Sequence, residues 1–273
     1  MPTISVIINF CSNESMFLDA LLTEVQKFSH DIVVSYGSKL YDGKDEDFEL
    51  IASFKDKYPL VTFSCYEVNK SLDMSKQRGV VRRPTAYWHN LARWTALQHL
   101  KTPASTPDNW VFILDADEIP EGDRVKQWLD HYSPLLNPTH CYKIATYWYF
   151  KLPIFQAKTY EDSILLMHRS HLTEDTIFGD YERDYTIHKS GTHLQRSIMG
   201  LDGMPMWHHF SFVRTKEGIK RKLSSWAHVD DFFKGANVDN IVNFMYKDNN
   251  PNDFVHHYEY NQVPNKFNIL LPQ

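Results

Sequence analysis

The stretch Phe112-Ile113-Leu114-Asp115-Ala116-Asp117-Glu118-Ile119-Pro120 decides how the rest of the chain is read. Residues 110–114 form an apolar run of strand length without alternation, as expected of a parallel strand covered on both faces. The run ends at Asp115 and Asp117 follows two residues on, so on an extended backbone both carboxylates project to the same side. In open α/β sheets, ligands bind beyond the carboxyl ends of the strands. Two carboxylates placed there can hold a hard divalent cation, Mg²⁺ or Mn²⁺, which keeps further positions for phosphate oxygens. The competing reading is a solvated strand end whose acids cap the next helix, because a single Asp-x-Asp is a weak motif.

Outward from this point, strands and helices alternate. Upstream, residues 4–10 read as a short buried strand, and Asn13 is expected to cap a helix carrying Leu18, Leu21, Leu22, Val25 and Phe28 on one face. Residues 31–36 and 61–66 read as further strands, with a helix over 46–57 between them. A polar, basic loop over 67–84 leads into a helix over 85–100, with Tyr87, Leu91 and Trp94 at helical spacing. A helix over 123–132 follows the acidic strand end. This alternation implies right-handed crossovers and a mostly parallel sheet. After Pro138 the texture changes: strands are expected over 141–155, 163–170 and 206–213, a loop-rich stretch over 180–203, and a basic helix over 215–233. No linker or internal repeat interrupts the chain, so one continuous domain is expected.

Two further clusters stand out. His89, Asn90 and Arg93 fall within one helical turn, with Arg82 and Arg83 just before the helix. A helix N-terminus beside arginines suits a diphosphate, and the alternative is a polar stripe facing solvent. In Trp207-His208-His209-Phe210-Ser211 the two histidines face opposite sides of a strand, so only one can enter a given site. A neutral imidazole there could complete a metal shell begun by two carboxylates.

Composition narrows the classes. With 273 residues the chain buries roughly three quarters of its unfolded surface and needs no cross-link to hold a core. Its formal net charge of −5 leaves no basic surplus for nucleic acid, although clusters at 78–83 and 216–222 could serve one small anion. Cys11, Cys65 and Cys141 are widely spaced, which is neither a disulfide framework nor a zinc pattern, and a reducing, cytoplasmic setting is expected. No signal sequence or membrane span is expected, because no apolar run approaches ~18 residues.

Ser5-Val6-Ile7-Ile8-Asn9 with Asn13-Glu14, then residues 32–38 and 113–118, resembles the opening of family-2-type GT-A glycosyltransferases. Trp207-His208-His209-Phe210-Ser211 with Lys222-Leu223 and His228 resembles a tail of family-17-like and related viral or bacterial glycosyltransferases, with His209 as the matching histidine. The resemblance spans about residues 4 to 230. It implies a GT-A, Rossmann-like α/β fold with a mostly parallel central sheet flanked by helices. Residues 1–137 would be the nucleotide-sugar half and 138–273 the acceptor half. It also implies Mn²⁺- or Mg²⁺-dependent transfer of a sugar from a nucleoside-diphosphate donor, read as UDP-linked, to a glycan or glycoprotein. A viral enzyme acting in host cytoplasm would account for an absent anchor.

By the same resemblance, Asn9, Ser35, Gly37 and Ser38 would flank the nucleoside, and His89, Asn90 and Arg93 would contact ribose or phosphate. Asp117 would bind metal, Asp115 beside Ala116 would touch ribose or metal, and His209 would add a ligand. Lys222 and His228 would steady the diphosphate. Inverting transfer needs a base for the acceptor hydroxyl. Among Asp180, Glu182, Asp184 and Asp202, Asp180 is preferred because it follows Phe178-Gly179 in a stretch able to reach the sugar. The family often places an acidic pair after its second strand, whereas here Tyr36-Gly37-Ser38 stands, with Asp42 further on, which puts uracil recognition in question. The alternative function is a haloacid-dehalogenase-type phosphohydrolase in which Asp115 attacks phosphorus and Asp117 protonates the leaving group. That motif normally follows a first strand, and here it follows the fourth.

Overall fold

A computed structural model describes residues 2–69, 71–72, 84–179, 182–225 and 237–271. Strands β1 (Thr3–Phe10), β2 (Asp31–Gly37), β3 (Thr62–Tyr66) and β4 (Asn109–Asp115) lie in the order β3-β2-β1-β4, all parallel. Helices α1 (Ser15–Val25), α2 (Phe48–Lys57) and α3 (Pro84–Gln98) make the crossovers. The unbroken apolar strands have the reason expected of them. In β1, Val6, Ile8 and Phe10 pack into the core beneath α1 and α2, while Ile7 packs with Ala96 and Leu97 of α3 on the other face. Each such buried side chain contributes about 1.5–3 kcal/mol.

Beyond β4 the sheet becomes mixed. A short strand β5 (Glu118–Pro120) precedes α4 (Gly122–Tyr132); β6 (His140–Lys151) and β7 (Phe155–His168) form an antiparallel pair, and β7 runs antiparallel to β4. The short helix α5 (Glu174–Ile177), α6 (Glu182–Ser190), β8 (His193–Ile198), β9 (Trp207–Val213), α7 (Lys216–Ser225), α8 (Val238–Met245) and β10 (Tyr260–Gln262) complete the described elements. The sheet order continues β4-β7-β6-β9-β5. Only Ala116 and Asp117 separate β4 from β5, yet three strands lie between them in that order, so the sheet must curl until its far edge returns to β4. The Phe210 amide donates to the Asp117 carbonyl at 2.8 Å and closes the seam. The Asp-x-Asp segment therefore sits at the junction of both halves.

Some expectations require correction. Asn13 caps no helix: it lies in a 3-10 turn, Ser12–Glu14, and α1 begins at Ser15 with no side-chain cap. Its carbonyl instead accepts from buried Arg214 at 2.7 Å. The 180–203 stretch is not loop-rich, since it contains α6 and β8; α6 turns Arg183 and Thr186 inward beside Ile187, and β8 is an exposed edge, so neither shows an apolar period. The expected strand over 163–170 is the second half of a longer one, β7. The expected helix over 215–233 is α7 up to Ser225, and its remainder lies outside the described residues. Among the described residues no helix is long and apolar enough to cross a membrane.

Candidate active site

The carboxyl ends of β1, β2, β3 and β4 border a cavity of about 460 Å³ whose walls follow the order of the sheet. At one end are Tyr66 from β3, Gly37 and Tyr41 from β2 and its loop, and Phe10 from β1. Asp115 and Asp117 stand in the middle. Glu161 of β7, Trp148 of β6, and His209 and Phe212 of β9 form the other end. Lys222 enters from α7, and Phe254, Val255 and His256 approach from the C-terminal segment. A side chain at Gly37 would collide with the Lys39 carbonyl at 2.7 Å and with Val68 at 2.8 Å, so only glycine lets the loop turn here.

Asp115 is held from behind the sheet. Its Oδ1 lies 3.1 Å from His89 Nε2 and 3.6 Å from Arg93 Nη2, and its Oδ2 accepts from Arg183 Nη2 at 2.9 Å. The Arg183 fork also binds both oxygens of buried Glu118, at 2.7 and 2.6 Å, and Glu118 Oε2 accepts from the Asp115 amide at 2.7 Å. Burial works against ionising Asp115, but Arg183, His89 and Arg93 outweigh it and hold the carboxyl well below its ordinary range.

Asp117 looks into the cavity and is 4% exposed. Its Oδ2 accepts from Lys222 Nζ at 3.2 Å, with Arg214 Nη2 at 3.7 Å, and its Oδ1 lies 3.6 Å from His209 Nε2. Burial again pushes the pKa up, and Lys222, His209 when its ring is protonated, and Arg214 bring it below the ordinary value. Arg214 is also paired with Glu14, so the cations beside Asp117 have a second acidic partner.

The two histidines separate as strand geometry requires. His209 faces the cavity, with Nδ1 3.4 Å from Ser163 Oγ and its ring edge-on to Trp148. His208 is buried on the opposite face, between the Tyr149 hydroxyl at 2.9 Å and Glu121 Oε1 at 3.0 Å. Burial raises the Glu121 pKa less than hydrogen bonds from His208 and Lys266 lower it, to about 2.

Of the residues singled out in the sequence, Asn9, Gly37, His89, Asp115, Ala116, Asp117, His209 and Lys222 line the cavity. Ser35 and Ser38 do not: the Ser35 hydroxyl is spent on the Ile8 carbonyl, and Ser38 Oγ accepts from the Val68 amide. Asn90 and Arg93 are buried beneath the sheet rather than facing ligand or solvent; Asn90 donates to the Gly179 carbonyl at 2.7 Å. Asp184 pairs with Lys143, and Asp202 with Arg124, neither of them in the cavity wall. Asp180, His228, Arg82 and Arg83 lie outside the described residues.

Glu14 and Glu118 stand in the quoted motifs but carried no expected role, and nothing in the sequence singled out Glu46, Trp148, Glu161, Arg183 or Arg214. Glu118 was in plain view beside the acid pair, whereas Arg183, in a polar helix, gave no signal. Asp42, the acid noted after the second strand, pairs with Lys44. A bridge between Lys39 and Asp45 folds the loop back and brings Glu46 to the cavity instead. Glu46 Oε1 accepts from the Ser12 and Asp47 amides, and Oε2 is buried without a hydrogen-bond partner among the described residues.

Among the described residues no three of His, Cys, Asp and Glu gather as a metal-binding group. The expected trio of Asp115, Asp117 and His209 is not assembled, because both Asp115 oxygens are engaged by cationic or imidazole partners. Asp117 Oδ1 and His209 Nε2 remain as a facing pair. A carboxylate and an imidazole suit Mn²⁺, which could draw its other ligands from a bound diphosphate and water. The same engagement of Asp115 counts against the phosphohydrolase alternative, which needs a free attacking oxygen there.

No family model matches the chain, and no curated protein matches it. Its path is similar to that of three solved glycosyltransferases. The mannosyltransferase PcManGT from Pyrobaculum calidifontis, in complex with GDP-Man and Mn²⁺, is 16% identical with a TM-score of 0.37, over 63% of this chain and 46% of that one. S. aureus TarS 1-349 in complex with UDP is 12% identical with a TM-score of 0.45, over 90% and 72%. The WbbM bifunctional glycosyltransferase, in its apo structure, is 11% identical with a TM-score of 0.42, over 77% and 46%. The chain thus spans less than half the length of PcManGT and of WbbM, and these partial likenesses assign no role to any of its residues.

Proposed function

We propose that the chain transfers a glycosyl group from a nucleoside-diphosphate sugar to a hydroxyl of a glycan acceptor. The observation that carries this reading is the grading of one cavity along the sheet. An aromatic end at Tyr66, Tyr41 and Phe10 suits a base, the charged middle at Asp117 and Lys222 suits a diphosphate, and a second aromatic end at Trp148 and Phe212 suits sugar rings. Glu46 offers the base end a carboxylate oxygen that can accept from a ring N–H, as uracil provides. Lys222 would counter the charge of the departing diphosphate. Asp117 and His209 would hold Mn²⁺ or Mg²⁺, which when bound supplies Lewis-acid neutralisation of that leaving group.

In an inverting transfer, the acceptor oxygen bonds to the anomeric carbon as the carbon–oxygen bond to the diphosphate breaks, and a base takes the hydroxyl proton. Two carboxylates are candidates for the base. Asp180 lies outside the described residues; Glu161 lies at the sugar end of the cavity, where Tyr258 OH donates to its Oε1 at 3.2 Å. Comparison of Asp180→Asn with Glu161→Gln separates them, since loss of the base should abolish transfer while donor binding survives.

The function is tested by incubating the purified chain with UDP-, GDP-, dTDP- and CMP-sugars and Mn²⁺, with nucleotide release and thermal stabilisation as readouts. Release from one donor class, with stabilisation by its free nucleotide, is expected. No release and no stabilisation with any of the four would refute the reading, and orthophosphate release from simple phosphate esters would favour the phosphohydrolase.

A further inference from the structure

His209 can present a bare nitrogen towards Asp117 only if its other ring nitrogen keeps the proton, and two hydroxyls on β6 and β7 decide this. Thr146 Oγ1 lies 3.0 Å from the Glu161 carbonyl oxygen and 2.8 Å from Ser163 Oγ, which in turn lies 3.4 Å from His209 Nδ1. A carbonyl oxygen only accepts, and a hydroxyl has one proton to give. The Thr146 proton therefore goes to the Glu161 carbonyl, and Thr146 Oγ1 accepts from Ser163. With its own proton spent, Ser163 can only accept from His209, so Nδ1 must carry the hydrogen. A neutral imidazole has one N–H, which leaves Nε2 with its lone pair 3.6 Å from Asp117 Oδ1.

Two acceptors facing each other repel unless something positive stands between them. The 3.6 Å separation is long for a charge-assisted hydrogen bond of about 2.7–2.9 Å. It is within reach of two ligands of one divalent cation, each bonded at roughly 2.0–2.2 Å. We propose that Ser163 and Thr146 are positioning residues that lock His209 in its Nδ1–H tautomer and so keep Nε2 open to a divalent cation shared with Asp117. The cation part of this proposal rests on the donor-site reading above; the tautomer does not.

The local backbone fits such a role. The pairing of β6 with β7 passes from Ile144 opposite Ile164 to Ala145 opposite Asp162, which makes Ser163 the extra residue of a β-bulge. Bulges re-aim single side chains beside functional sites. Arg183 Nη1 donates to the Ser163 carbonyl at 2.6 Å and fixes the bulge to the clamp that holds Asp115. Trp148, edge-on to His209 with ring centres 4.9 Å apart, restrains the ring.

Long-range ¹H–¹⁵N correlation of the ring nitrogens in the metal-free full chain, at about pH 8, where an ordinary imidazole is neutral, reads the tautomer directly; His209→Gln supplies the assignment. The wild type should show Nδ1–H. Ser163→Ala removes the acceptor, and Thr146→Val frees the Ser163 proton to point at Nδ1, so both variants should move the hydrogen to Nε2. Mn²⁺ affinity, measured by titration with UDP, GDP and dTDP in turn, should fall about 10–100-fold in Ser163→Ala and recover in Ser163→Thr. An Nε2–H or doubly protonated ring in the wild type, or unchanged tautomers in both variants, overturns the relay even if Mn²⁺ binds. An Nδ1–H ring in a wild type that binds no Mn²⁺ with any of these nucleotides overturns the cation assignment, and with it the metal in the donor site.

Discussion

Asp115 and Asp117 stand two residues apart at the same strand end and both line the cavity, yet they are held by different partners. Behind β4, α3 and α6 deliver His89, Arg93 and Arg183, which engage both Asp115 oxygens. In front, β9 and α7 deliver His209 and Lys222, and Lys222 meets only one Asp117 oxygen. Sequence spacing makes the two acids look equivalent; their partners, drawn from elements far away in the chain, divide the work. Asp115 is the more exposed side chain, at 29% against 6%, and the more heavily paired, whereas Asp117 Oδ1 faces His209 alone among the partners described.

The largest expected effect comes from breaking the cavity side. Asp117→Ala should lower transfer by about 10²–10³-fold, the usual scale for loss of a preorganised electrostatic group. It should also cost some stability, because buried Lys222 and Arg214 then share Glu14 alone. Asp115→Ala should act mainly on the fold and destabilise it by about 3–5 kcal/mol, since it strips a carboxylate from buried Arg93 and leaves Arg183 with Glu118. Denaturant melts and turnover of the two variants provide the measurement. A folded, active Asp115 variant beside an unfolded Asp117 variant would invert the comparison.

The histidine pair sharpens the same contrast with smaller effects. His209→Ala should weaken Mn²⁺-dependent nucleotide binding by at least about tenfold, with partial rescue at higher Mn²⁺, since mass action offsets a weakened site. His208→Ala should leave binding intact and cost roughly 2–3 kcal/mol, because it empties a buried position and leaves the Tyr149 hydroxyl and Glu121 short of a partner. Metal titrations and thermal melts of both variants decide the matter. Rescue by Mn²⁺ in the His208 variant instead would reverse the assignment.

How much of this was legible in the sequence follows from which signals are local. The strands β1, β2 and β4 announced themselves because burial on both faces requires continuous apolar runs. The inward turn of His209 followed from alternation along β9, because the irregularity in its pairing with β6 comes only after His209. Arg183 and Ser163 could not be read. The first acts from a helix whose buried side is polar, and the second through a bulge that exists only once β6 and β7 pair. Glu46 was hidden for a similar reason, since a long-range bridge and not its place after β2 brings it to the cavity. The chain beyond residue 233 offered no motif, although Phe254, Val255 and His256 help to close the cavity.

The smallest expected effect lies on the face of β9 that turns away from the cavity. Glu121 meets His208 there, and Lys266 from the C-terminal tail pairs with the same carboxylate. Its folded pKa of about 2 lies below its ordinary value of 4.5, so its contribution to stability is complete above about 4.5 and is lost as pH falls towards 2. His208 works in the same direction. Burial holds its pKa below 6.5, so below that value the unfolded chain takes up the proton more readily than the folded one. Glu121→Gln should therefore lower stability at neutral pH by about 1–2 kcal/mol, a figure kept small because solvent screens part of this rim pair. The deficit should shrink as the medium is acidified, until wild type and variant melt together near pH 2. Urea melts at intervals from neutral pH downward provide the test. A deficit that stays constant on acidification would mean that Glu121 acts by packing alone, and that the outer face of β9 is as insensitive to charge as the apolar core behind it.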